Sequence, residues 1–307
     1  MAEAMNRIFR KSLEMAGIIG FRAHQMIGWR SRILIHLDWN LGDEIMAIPL
    51  FAGLKEKYPN FVLGVQSRYP ELFAYNPYVN TVNPPKLGIL DRQIDIRGEG
   101  LPTPRLEFWE KLLGIEIDDR QPRLYFSEEE RHAIHSIKHA DRPCKRVAIS
   151  TGTTWQSKRW PQENFRSLAN QLSNGQTAIR FIEMGQACPW LGIGKNWIDR
   201  TSIREAAVLL ASCDLFIGSD SGLMHLAAAA GTPAIGLFGP VDPYSLVGDN
   251  KLVFSIFSPV PCKGCWTQRR MQKRDHCPLG KPICMEAVSP AVVCQLALQI
   301  LDGKRSN

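Results

Sequence analysis

The residues able to do chemistry fall into three short stretches and one cysteine cluster. In Leu37-Asp38-Trp39-Asn40-Leu41-Gly42-Asp43-Glu44, a carboxylate follows a glycine just after an apolar run. At the end of a buried strand, Asp43 can act as a general base toward an attacking hydroxyl. It can equally cap the helix that follows. Thr151-Gly152-Thr153-Thr154-Trp155-Gln156-Ser157-Lys158-Arg159-Trp160-Pro161 joins small and hydroxylated residues to a Lys-Arg pair. That composition suits phosphate, although the Gly-x-x-x-x-Gly-Lys spacing of a P-loop is absent and a solvated loop reads similarly. Gly218-Ser219-Asp220-Ser221-Gly222-Leu223-Met224-His225 leads from an apolar run into an alanine-rich helix. Free N–H groups and the helix dipole attract anions there, and Gly222 lets a ligand approach the backbone. A well-capped buried helix with no ligand gives the same pattern.

The fourth feature is Cys262-x2-Cys265-x11-Cys277-x6-Cys284. Four thiolates in a short Gly- and Pro-containing segment suit a tetrahedral structural metal, zinc or iron. Disulfides or free thiols are the alternative. Lys263, Arg269, Arg270, Lys273, Arg274 and Lys281 surround the cysteines. Scattered Cys144, Cys188, Cys213 and Cys294 do not resemble a disulfide framework, so a reducing compartment is expected.

These groups need elements to position them. Ile33-Leu34-Ile35-His36-Leu37 reads as a strand buried on both faces. Helical spacing follows through Leu54, with a late start or bend at Pro49. Strands are expected at 61–65 and 94–96 and a helix over 127–140, with Glu128, Glu129 and Glu130 favourable in its first turn. Asp141-Arg142-Pro143 breaks the pattern, and a second α/β series begins. Its strands are expected at 146–150, 177–182, 214–218 and 234–238, and its helices at 162–172, 203–212 and 222–230. Ser202 and Glu205 form a capping box. The predicted architecture is α/β, with two facing Rossmann-like domains and a cleft between them. The first domain spans 32–142 and the second 143–307, the latter carrying the cysteine segment at 262–284. The phosphate-type loops lie at carboxyl ends of strands, where ligands of open α/β sheets collect.

Ahead of these domains, residues 1–31 hold an amphipathic helical pattern, with Met5, Ile8, Phe9, Leu13, Ala16 and Ile19 beside Arg7, Arg10 and Lys11. Such a helix can rest on an anionic membrane surface or pack on the domain or another subunit, leaving a peripheral inner-membrane contact and a homo-oligomer both open. No run approaches the roughly 18 unbroken apolar residues of a membrane span. A signal peptide is not expected, since Arg22 and His24 stand where small cleavage-site residues should be. The chain reads as cytoplasmic. With 37 basic and 30 acidic side chains its formal charge is +7, which favours anionic partners without choosing among them. The 307 residues, 45% of them hydrophobic, suffice for two cores.

Taken in order, the stretches resemble glycosyltransferase family 9, the bacterial ADP-heptose heptosyltransferases. Gly42-Asp43 with Pro49 and Leu54 is similar to the first-strand motif, and Asn76-Pro77-Tyr78-Val79 to the asparagine-proline segment. Thr153-Thr154 through Lys158-Arg159-Trp160-Pro161 resembles the phosphate loop, and Asp220 through Ala228 the signature helix. Gly231-Thr232-Pro233 and Phe238-Gly239-Pro240-Val241-Asp242-Pro243 continue the match, which covers nearly the whole chain.

The resemblance implies a GT-B fold and an inverting transfer, most simply of heptose from ADP-heptose, to a lipopolysaccharide core. It implies Asp43 as base, Thr153, Thr154 and Lys158 at the phosphates, and Asp220, Ser221, Gly222, Leu223 and His225 around the donor. The family also places an acid on the donor ribose after the glycine of the third strand. Here Gly185 is followed by Gln186, Ala187, Cys188 and Pro189, and Glu183 is the candidate substitute. No Asp-x-Asp stands where a catalytic metal would sit, so the leaving diphosphate falls to Lys158 and helix N–H groups. The cysteine set also resembles an iron-holding one in some family members that modify autotransporter proteins, and that resemblance implies a protein hydroxyl as a second acceptor class. The rival reading is a basic nucleic-acid-binding protein with a zinc knuckle; under the transferase reading no nucleic acid is expected.

Overall fold

The computed structural model describes residues 32–84, 92–95, 103–140, 142–268, 270 and 275–303. The N-terminal helical segment, and Arg269, Lys273 and Arg274 beside the cysteines, lie outside the described residues.

The first half is a four-stranded parallel sheet. Its elements are β1 (Arg32–His36), α1 (Leu41–Met46), α2 (Pro49–Lys57), β2 (Val62–Gln66), β3 (Thr81–Val82) and β4 (Arg92–Asp95). The strand order is β3-β2-β1-β4. Pro49 acts as expected: the helical stretch divides, and Pro49 begins α2, where its missing N–H costs nothing. Glu44 is fully buried, yet its carboxylate accepts from Trp39 N and Arg68 N at 3.1 Å each and from the Ser67 hydroxyl. It thereby ties the start of α1 to the end of β2. Two helices follow, α3 (Arg105–Leu113) and α4 (Glu128–Ala140). Ser127 and Glu130 close a capping box at the start of α4, with bonds of 3.2 and 2.8 Å.

The second half runs β5 (Lys145–Ser150), α5 (Gln162–Ser173), β6 (Ile179–Glu183), β7 (Lys195–Asn196), α6 (Ile203–Ala211), β8 (Leu215–Ser219), α7 (Gly222–Ala229) and β9 (Ala234–Phe238). It ends with α8 (Pro243–Val247), β10 (Val253–Phe257), α9 (Ile283–Glu286) and α10 (Pro290–Leu301). The six strands are parallel in the order β10-β9-β8-β5-β6-β7. The α/β expectation is borne out, and the expected strands and helices of this half lie within a few residues of those found. The capping box expected at Ser202 and Glu205 is present.

Two buried clusters hold the halves. One packs α5 and α10 against the outer face of the second sheet through Phe165, Leu168, Leu172, Val293 and Ala297. The other is continuous from Ile33, Phe51 and Trp109 in the first half to Leu210, Met224 and Phe238 in the second. An apolar seam of this kind holds α6 and α7 against the first half. Arg204 of α6 adds a polar link. It pairs with Glu130, donates to Tyr125 O at 2.9 Å and lies 5.2 Å from the Phe126 ring centroid.

Candidate active site

Each sheet has one place where the chain reverses direction across it. In the first, β2 lies on one side of β1 and β4 on the other. In the second, β6 flanks β5 on one side and β8 on the other. The crevice outside such a switch point is where an open parallel sheet binds its ligand. Asp43 lies in the segment leaving β1. The loop 151–161 leaves β5, and Asp220 and Ser221 leave β8. The expected site residues therefore arise from the switch points of both sheets.

Two helix starts meet there. A Cβ on Gly42 of α1 would come within 2.9 Å of His225 Cδ2, and one on Gly222 of α7 within 2.9 Å of Leu41 Cδ2. Glycine is required at both positions by this approach rather than by backbone angles.

Five ionisable side chains surround the meeting point. Asp43 pairs with Arg105, the first residue of α3, and receives Asn40 Nδ2 at 3.4 Å. The capping alternative for Asp43 is thus replaced by an ion pair across 62 residues of chain. Lys158 Nζ lies 2.5 Å from Asp220 Oδ2, and His225 Nε2 lies 3.9 Å from Asp220 Oδ1. Burial pushes the His225 imidazole below its usual range; the Asp220 and Asp43 carboxylates pull it up, and the Lys158 and Arg105 cations push it further down. Carboxylates and cations from both halves thus act on one imidazole.

The remaining candidates divide. Thr153 Oγ1 is 3.4 Å from Asp220 O, whereas Thr154 is exposed. Ser221 precedes α7 without a side-chain cap bond. The hydroxyls of Ser150, Ser219 and Ser221 are buried at the ends of β5 and β8 with no hydrogen-bond partner among the described residues. Buried polar groups are nearly always paired, so these three suit a polar ligand. Leu223 packs partly buried against the shared core. Glu183 is placed differently from its expected ribose role. It is 2% exposed, and its carboxylate accepts from Leu191 N, Ile193 N and Gly194 N at 2.6, 2.7 and 3.0 Å. Both oxygens are committed to folding the 186–194 loop.

The four clustered cysteines are free, with Cys265 and Cys284 buried and Cys262 and Cys277 half-buried. Burial pushes the Cys284 thiol up to about 11, and the Cys262, Cys265 and Cys277 thiols push the same way. They are close enough to act on one another. Among the described residues, however, no three metal-ligating side chains form a set that would hold an ion. Among the described residues these thiols share a neighbourhood without being drawn together into a coordination sphere.

Two parallel-sheet halves facing each other across a cleft form the GT-B architecture of glycosyltransferases. The solved ADP-heptose lipopolysaccharide heptosyltransferase II of Escherichia coli superposes with a TM-score of 0.62 at 18% identity, over 89% of this chain and 99% of that one. The iron-containing dodecameric glycosyltransferase TibC of enterotoxigenic E. coli superposes at 0.66, with 18% identity, over 90% of this chain and 77% of that one. In sequence, lipooligosaccharide heptosyltransferase 2 of Campylobacter jejuni is 26% identical, over 89% of this chain and 99% of that protein. Residues 105–274 match glycosyltransferase family 9 (heptosyltransferase), and the chain belongs to that family. It is a glycosyltransferase, and the reading as a nucleic-acid-binding knuckle protein gives way to it.

Gly42→Ala tests the helix contact. The new methyl group meets the His225 ring, and α1 must shift with Asp43. The expected product is a folded enzyme whose turnover falls at least about tenfold, since misplacement by about 1 Å can cost a hundredfold. Steady-state kinetics with circular dichroism checks this.

Proposed function

We propose that the chain transfers heptose from ADP-heptose to a sugar hydroxyl of a lipopolysaccharide or lipooligosaccharide core, with inversion at the anomeric carbon. The observation that carries this is the convergence of Asp43 from one half and the Lys158–Asp220 pair from the other on the buried His225. The C. jejuni relative supports the acceptor class, and the E. coli structure the donor.

In this reading Asp43 takes the proton of the acceptor hydroxyl as its oxygen attacks the anomeric carbon from the face opposite the diphosphate. Attack from that side inverts the centre. Arg105 fixes the direction of the Asp43 carboxylate. Lys158 and the first N–H groups of α7 meet the charge growing on the departing diphosphate, so no catalytic metal is needed for that task. Thr153 and Ser221 add hydroxyl contacts. Gly222 admits the donor close to the backbone, Leu223 shapes its pocket, and Asp220 holds Lys158 in place before the donor arrives.

Among the described residues no helix is long and apolar enough to cross a membrane. We place the enzyme in the cytoplasm, where ADP-heptose would be met, with its acceptor at the inner-membrane surface.

A second reading replaces the core sugar with a protein hydroxyl. The cysteine segment, which resembles that of family members that modify autotransporter proteins, favours it. Mass spectrometry of reactions containing ADP-heptose and either acceptor class decides between the two: sugar added only to protein overturns the first reading.

Asp43→Asn separates the base role from the ion pair with Arg105. Asn keeps a carbonyl oxygen for Arg105 but cannot take a proton. The variant should stay folded, with a melting temperature lowered by the lost charge pair, and should keep its ADP affinity while losing at least about a hundredfold in turnover. A well-folded Asn variant with substantial activity removes Asp43 from the base role.

We also propose a structural zinc or iron at Cys262, Cys265, Cys277 and Cys284. What supports it is the donor set, four soft sulfur ligands in one neighbourhood; binding would deprotonate the thiols and draw them together. Elemental analysis of protein purified under reducing conditions should find about one metal per chain. Metal well below that ratio contradicts the assignment.

A further inference from the structure

The cysteine segment reaches the donor side of the site through one residue. Asp275 lies between Cys265 and Cys277, yet its side chain points to the loop after β5. Its Oδ2 accepts from Gln156 N at 2.9 Å, and its Oδ1 accepts from Ser157 N and Ser157 Oγ, both at 2.8 Å. Gln156, Ser157 and Lys158 form a single 3-10 turn whose N-cap residue, Trp155, supplies no capping side chain. A helical turn starts with unsatisfied N–H groups. Asp275 satisfies two of them from more than a hundred residues away.

A second contact runs in parallel. Trp266, next to Cys265, packs edge-on against Trp155 at 5.0 Å between centroids. The other end of this chain of contacts is Lys158, whose Nζ stands 4.4 Å from the Trp155 ring centroid. The cysteine segment is itself fixed beside β9, through Gly264 N to Gly239 O and Trp266 N to Pro240 O, both at 2.8 Å. Lys158 is thus held from three sides: by Asp220, by the Trp155 ring, and by a turn whose start is pinned by Asp275.

We propose that Asp275 is a positioning residue for the donor diphosphate. Through its carboxylate the cysteine segment sets the Gln156–Lys158 turn, and so the place of the Lys158 ammonium. This rests on the reading that Lys158 meets the diphosphate. It gives the cysteine segment a task in donor binding, separate from whatever its thiols hold. Asp275 has φ +60, a left-handed conformation that Asn tolerates well. Asp275→Asn therefore keeps the backbone, and its carbonyl oxygen can keep both bonds from Ser157. Asp275→Ala keeps neither.

The test measures ADP and adenosine binding by calorimetry on the full chain, with melting temperature and metal content recorded for each variant. Asp275→Ala should weaken ADP at least about tenfold and leave adenosine within about twofold, since charge-assisted contacts carry roughly that weight. Asp275→Asn should stay within about threefold of wild type for ADP. Asp275→Ala combined with Lys158→Ala should bind ADP no more weakly than Lys158→Ala alone. If Asp275→Ala does not fold, Ser157→Ala replaces it, with an expected loss for ADP of about threefold. Wild-type ADP affinity in Asp275→Ala, or in Ser157→Ala where it is used, overturns the proposal if Lys158→Ala has lost affinity. Equal weakening of adenosine and ADP overturns it too, because the defect is then not at the diphosphate. Normal ADP binding by Lys158→Ala instead overturns the loop reading on which the proposal stands.

Discussion

The site depends on how closely the first turn of α1 approaches the first turn of α7. Gly42 faces the His225 ring and Gly222 faces Leu41, each with room for a hydrogen but not for a methyl group. This contact joins two sheets that, among the described residues, also share an apolar seam and a few polar links. It also decides where Asp43 stands, since Asp43 follows Gly42 on the same turn. The buried Glu44 anchors that turn from below through two backbone N–H groups. The reacting geometry is therefore set by backbone packing rather than by flexible side chains, which is how a site keeps its groups aligned.

Charge is arranged around the same contact. Each half brings one carboxylate and one cation: Asp43 with Arg105 from the first, Asp220 with Lys158 from the second. Both pairs are largely buried, where a charge without a partner is costly. Each pair therefore secures the other's surroundings before any ligand arrives. His225 sits among them with its imidazole pushed toward the neutral form by burial. The cysteine segment stands behind the second pair and supports it through Trp266 and Asp275.

Much of this was legible in the residues themselves, and the limits have physical causes. Gly42-Asp43 and Asp220-Ser221-Gly222 could be read because a strand, a glycine and a helix start are adjacent in sequence. The break at Pro49 and the capping box at Ser202 were legible for the same reason. Arg105 and Asp275 could not be found this way. Their partners lie 62 and 118 residues away, and only folding brings them together. Glu183 shows the opposite error. A carboxylate at the end of a strand looks available in sequence, and only the three N–H groups of the 191–194 turn show that it is already engaged. The short strands β3, β7 and β10 escaped notice. The first two contain only two residues each, too few for any periodicity to show.

Asp43 and Lys158, from opposite halves, are proposed to act on one sugar nucleotide. A crystal structure with an unreactive fluorinated ADP-heptose would show both contacts at once. The diphosphate is expected within about 3 Å of Lys158 Nζ, with the anomeric carbon turned toward Asp43. A diphosphate bound away from Lys158, or an anomeric carbon whose open face points away from Asp43, would contradict the proposal.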